Sequence, residues 1–191
     1  MGAFKEPHGG ELKNLYLDAA AAEAEKQAAR ECASWDLTER QLCDIELILN
    51  GAFSPLEGFL NKDDYDAVVA GMRLANGVLW PMPITLDVSE AFAEELNSGD
   101  KIALRDLEGV ILATLEVGDV WTPDKAAEAQ GVFGTTDEKH PAVHYLNNLA
   151  NPVYVGGKLT GVEARTHYDF KHLRESPAEV RTRFEKLGWR K

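Results

Sequence analysis

The sequence offers a few groups of residues whose types and spacing could do chemistry. Gly156-Gly157-Lys158 has the glycines and lysine of a loop that cradles phosphate through backbone N–H groups. The full pattern needs a Gly five residues before the Gly-Lys pair and Ser or Thr after it. Those positions hold Pro152 and Leu159, so the pattern fails. His140 and His144 have the spacing that lets two imidazoles share a helical face and a metal ion. Pro141 lies between them and neither Cys32 nor Cys43 is close in sequence, which favours a packed or capping pair. Asp63, Asp64 and Asp66 cluster, but an acidic first helical turn is what the helix dipole favours without any catalysis. Arg165, His167, Lys171, His172, Arg174, Arg181 and Arg183 make a basic C-terminal segment suited to an anion, a solvated helix face or an interdomain surface. There is no nucleophile elbow, zinc motif or dinucleotide fingerprint.

The elements that must position these residues are organised around Leu42–Leu60. Leu42, Ile45, Ile48 and Leu49 recur at helical spacing, and Asn50-Gly51 stops the helix. Ser54-Pro55 turns the chain, and Gly58 suggests a second turn between Phe53 and Phe59. The stretch therefore reads as a buried corner docking a helix onto a sheet, or as a corner that shapes a neighbouring site. Before it, Asp18 starts an Ala-rich surface helix through residues 19–33, and Thr38 with Gln41 forms a capping box. After it, Asn61 caps a helix from Lys62. Pro81 and Pro83 exclude helix, and Ile84, Leu86 and Val88 alternate as a half-buried strand.

Strands are expected over Lys101–Arg105 and Val110–Val117, joined by a hairpin-like turn at Asp106–Gly109 and extended by Val120-Trp121. Thr122-Pro123 opens a short helix with Pro at its first position, and His140-Pro141 restarts another. Pro152–Leu159 is a last strand, where Gly156-Gly157 marks a bulge or a close backbone approach. Ser176-Pro177-Ala178-Glu179 opens a final helix with Val180, Phe184 and Leu187 on one face, ended by Gly188. Short strands with inserted helices and no regular alternation give an α+β class, a small mixed β-barrel flanked by helices.

The net charge of −12 is uneven. Lys158–Lys191 holds nine basic and five acidic residues, a net of +4, and the remaining body carries −16. Such a body repels phosphates and makes nucleic acid an unlikely partner. No apolar run is long enough to cross a membrane, the N-terminus lacks signal-peptide features, and two cysteines in predicted helices fit reduced thiols. A cytoplasmic location is the expectation.

Asn50–Leu60 (NGAFSPLEGFL), Leu79–Val88 (LWPMPITLDV), Gly131–Leu146 (GVFGTTDEKHPAVHYL) and Asn151–Leu159 (NPVYVGGKL) resemble, in order, blocks near the start of ATP sulfurylases. The resemblance covers roughly residues 37–191. It implies a PUA-like barrel over 37–166, preceded by a largely helical extension at 1–36. It implies too that 167–191 is a linker helix leading into a catalytic domain. The family's Gln-Thr-Arg-Asn-Pro-x-His-Arg-Ala-His and Gly-Arg-Asp-His-Ala motifs do not occur here: the sequence has no Arg-Asn and no His-Arg. The resemblance therefore assigns this chain no catalytic, cofactor-binding or metal-binding residue. The parent enzyme it implies uses ATP with magnesium and makes adenosine 5′-phosphosulfate and pyrophosphate from ATP and sulfate. The expected partner is the C-terminal catalytic domain of the same polypeptide, with homo-oligomers possible. The alternatives are a PUA-like RNA- or ligand-binding module and an oligomerisation domain. An exposed apolar patch is expected near Phe184, Leu187 and Trp189.

Overall fold

The computed structural model describes residues 5–189. The chain has helices α1 (Ala19–Ala29), α2 (Glu39–Leu49), α3 (Lys62–Gly71), α4 (Glu90–Ala93), α5 (Lys125–Phe133), α6 (Pro141–Asn148) and α7 (Pro177–Lys186). Its strands are β1 (Ala33–Asp36), β2 (Gly58–Phe59), β3 (Leu86–Val88), β4 (Lys101–Arg105), β5 (Ile111–Trp121) and β6 (Val153–Gly161). The sheet runs β1-β4-β5-β6-β2, with β3 also paired to β6. β1 lies parallel to β4 and β3 antiparallel to β6, so the sheet is mixed, as expected of the α+β class. Among the described residues the path of paired strands is open and does not close into a complete barrel.

Two compact units share the chain. The first comprises Met1–Gly58, Ile102–Leu115 and Leu159–Lys191, and the second Phe59–Lys101 and Glu116–Lys158. In the first unit α2 carries the core. Leu42, Ile45, Ile48 and Leu49 are all buried on the face their spacing predicts. The Thr38 hydroxyl accepts from Gln41 N–H while the Gln41 carboxamide oxygen accepts from Thr38 N–H at 3.0 Å, closing the expected capping box. That same oxygen accepts from Trp35 Nε1 at 3.2 Å, so a fully buried Gln is satisfied twice. Gly51 ends the helix at φ 89°, and an added Cβ there would meet the Lys13 carbonyl oxygen at 1.9 Å. Ser54, Leu56 and Gly58 are buried, so the stretch is a packed corner. Gly58 belongs to β2, however, and makes no second turn.

Other departures have local causes. α1 is capped by Asp18 as expected but stops at Ala29, and β1 follows, because Ser34 and Trp35 find register opposite Ala103 and Leu104. Cys32 therefore lies outside a helix, Cys43 lies inside α2, and both thiols are free.

In the second unit Asn61 stands at the cap position of α3 without a side-chain cap bond. The Asp119 carboxylate accepts from Lys62 N–H at 3.0 Å instead. Ile84 through Val88 are buried on both faces, so the expected half-buried alternation is absent and only Leu86–Val88 pairs as a strand. Pro123 precedes α5, whose cap is Asp124, accepting from Ala126 and Ala127 N–H. α6 does begin at Pro141, with His140 at its cap position.

Candidate functional site

Gly156 and Gly157 sit buried inside β6, where no phosphate loop is possible. A Cβ on Gly156 would meet the Leu60 carbonyl oxygen at 2.4 Å, and one on Gly157 the Glu116 carbonyl oxygen at 2.2 Å. These glycines serve close backbone approach, the second of the two expected roles. His140 stacks on Phe133 with ring centroids 5.3 Å apart, and His144 Nδ1 lies 3.3 Å from Asn148 Nδ2. Both imidazoles are exposed and, among the described residues, make local contacts only, and His140 stands at the α6 cap position without a side-chain cap bond. Asp66 pairs with Lys62 at 2.5 Å, and Asp64 accepts from Ala75 N–H at 2.7 Å, tying the end of the α3 connection to its first turn. No group of three or more His, Cys, Asp or Glu side chains is placed to hold a metal ion among the described residues.

The basic segment behaves differently from a free anion site. Arg165 reaches Glu39 at 2.9 Å and His167 Nε2 lies 2.7 Å from Glu46, so both fasten onto α2. Burial, with the Glu46 charge added, pushes the Tyr16 hydroxyl up to about 12. Arg174 pairs with Asp169 at 3.0 Å, Arg183 pairs with Glu175, and Arg181 donates to the Lys5 carbonyl. Carboxylates of α2 and of the segment itself thus take up the charges of Arg165, Arg174 and Arg183.

What the segment leaves open is apolar. Tyr168, Phe170 and Leu173 are each about two-thirds exposed or more. Leu187 and Trp189 are over half exposed, with Trp189 leaning on Phe184 at 5.3 Å. The patch expected at Phe184, Leu187 and Trp189 is present, and Tyr168, Phe170 and Leu173 extend the run of exposed apolar residues upstream. Their aperiodic spacing hid them in sequence. Five large apolar side chains in twenty-two residues exceed what isolated surface residues need.

A second feature was not legible either. In the second unit Tyr65 and Tyr154 both donate to Glu128 Oε2, at 2.8 and 3.0 Å, with all three residues buried. Trp121 packs at 5.5 Å from Tyr65 and 5.8 Å from Tyr154. Burial, with the adjacent Glu128 charge, raises the Tyr65 hydroxyl well above the usual tyrosine range. The cluster joins α3, α5 and β6 and has the geometry of a structural tie. Its members lie 26 and 63 residues apart, so spacing could not reveal it.

Residues 5–164 match the model of a family described as the PUA-like domain. The chain belongs to the PUA-like domain family. Within it, this PUA-like chain is 56% identical over 187 residues to a sulfate adenylyltransferase of Neurospora crassa. It is 49% identical over 188 residues to one of Eremothecium gossypii. Each comparison covers 96% of this chain but only 32% and 37% of the relative. The chain thus spans about a third of the length of the curated relatives it matches. Among solved structures, it superposes on the hexameric APS kinase from Thiobacillus denitrificans with a TM-score of 0.76 and 33% identity, covering 96% of this chain and 32% of that one.

Proposed function

We propose that this chain is the N-terminal, non-catalytic domain of a sulfate adenylyltransferase. The observation that carries the reading is the 49–56% identity over nearly the whole chain to enzymes about three times its length. The complete enzyme joins ATP and sulfate. A sulfate oxygen attacks the α-phosphorus, a phosphorus–oxygen bond forms, and the bond to pyrophosphate breaks, giving adenosine 5′-phosphosulfate. Magnesium accompanies the ATP. Such displacements are accelerated mainly by positioning and by stabilising charge on the phosphoryl oxygens.

This chain offers none of the motifs the reaction class uses, and many of its C-terminal cations are already bound to neighbouring carboxylates. It serves as a scaffold: residues 37–166 form the PUA-like body, and 167–191 lead into the catalytic domain of the same polypeptide. The exposed Leu187 and Trp189 suit that contact. Assembly into homo-oligomers accords with the hexameric relative, and the location is cytoplasmic. Among the described residues, no helix is long and apolar enough to cross a membrane.

Titration calorimetry with magnesium–ATP tests the reading. The 191-residue chain is expected to give no saturable heat, with or without sulfate. Saturable nucleotide binding would overturn the scaffold role.

A further inference from the structure

The first unit carries a groove that the scaffold role leaves unused. It encloses about 420 Å³. Leu42 and Leu112, each 2% exposed, and the half-buried Val110 form its floor. Leu107, at the tip of the β4–β5 hairpin, and Tyr168 line its sides, at 68% and 76% exposure. A leucine held out at a hairpin tip beside an apolar floor is an anchor in need of a partner.

The rim is acidic. Glu39, Asp106, Glu108, Glu163 and Asp169 all line the groove, against the single guanidinium of Arg165. Three of these carboxylates are compensated: Glu39 by Arg165, Glu163 by Lys26 and Asp169 by Arg174. The two that flank Leu107 are not. Among the described residues, Asp106 Oδ1 accepts only from the hairpin's own N–H groups, at 3.0 Å from Glu108 and 2.8 Å from Val110. Glu108 forms no ion pair among the described residues. The Asp106 bonds also fix the turn, so little order is lost when the tip is covered.

We propose that this groove docks a short segment of a partner protein in which lysine or arginine flanks a large apolar side chain. The apolar residue enters between Leu107 and Tyr168, and the cations meet Asp106 and Glu108. Charge complementarity selects this occupant over nucleic acid, whose phosphates the rim repels.

The probe is the fluorescein-labelled peptide Lys-Leu-Lys-Trp-Lys-Leu-Lys, titrated by anisotropy into the 191-residue chain. Its counterpart with glutamate in place of lysine is the control. Saturable binding of the basic peptide alone is expected, weakening as salt is raised, with amide shifts at Leu107, Val110 and Tyr168. L107S and E108K, both on exposed side chains, should each weaken it about tenfold, a change of about 1.4 kcal/mol. Circular dichroism should show both variants folded. The proposal is overturned if neither peptide saturates, if both bind equally, if the shifts fall elsewhere, or if a single-stranded RNA competes for the groove.

Discussion

Gly157 lies so near the Glu116 carbonyl that a methyl group there would sit 2.2 Å from its oxygen. That oxygen belongs to β5 backbone and the methyl would be rooted in β6 backbone, neither of which yields as a flexible side chain would. Gly157→Ala should therefore destabilise the chain by about 1–3 kcal/mol, read as a lower denaturation midpoint in urea with an unchanged slope. Glu128 gives a second residue-scale prediction. Glu128→Ala strands the buried hydroxyls of Tyr65 and Tyr154, at a cost of about 1–3 kcal/mol for a lost acceptor. Glu128→Gln keeps an acceptor oxygen and should cost less. Equal losses in the two variants would show that packing, and not the shared carboxylate, holds the tie.

At the scale of elements, α7 is held by local chemistry more than by burial, since none of its residues is buried. The Ser176 N–H and hydroxyl both reach Glu179 Oε2 at 2.8 Å, and these bonds hold the Glu179 carboxyl below its ordinary value of 4.5. A depressed carboxylate stabilises the folded state above its unfolded value and loses that contribution as pH falls through the folded one. The amide signals of Ser176 and Glu179 should thus move toward coil positions below about pH 4.5, while those of the buried α2 persist. Signals of α7 that hold steady through acid would refute this role for the cap.

Such caps, the α2 face and the β4–β5 hairpin were legible in the sequence because their signals are local. β1 was not, since four residues with one Trp resemble the tail of the preceding Ala-rich helix. Ile84–Val88 alternates in sequence as a half-buried strand does, but both of its faces are buried, and hydrogen bonds from a residue distant in sequence accommodate Asp87. Asp87, 1% exposed, accepts from Asn151 N–H at 2.7 Å, a partner 64 residues away. Of the candidate site, the close backbone approach at Gly156-Gly157 was legible, because paired glycines inside a strand announce it. The exposed apolar run from Tyr168 to Trp189 was legible only at its helical end.

For the molecule as a whole, relatives about three times longer and an apolar C-terminal segment make one account. Each large apolar side chain withdrawn from water contributes about 1.5–3 kcal/mol, so the exposed Leu187 and Trp189 would strengthen the proposed contact with a following domain. The fluorescence difference between the chain and its W189F variant should show Trp189 emitting as a solvated indole. In a polypeptide of the relatives' full length the same difference should shift to shorter wavelength. An unshifted Trp189 in the longer protein would place the domain contact elsewhere.

The most direct measurement of the central claim is sulfate-dependent pyrophosphate release from magnesium–ATP. It should be made on this chain and on a polypeptide that continues to the length of its relatives. Release is expected from the longer protein, with none above background from the 191-residue chain, even at high concentration. Sulfate-dependent release by the chain alone would contradict the claim, and would place a catalytic site among residues that here hold only structural bonds.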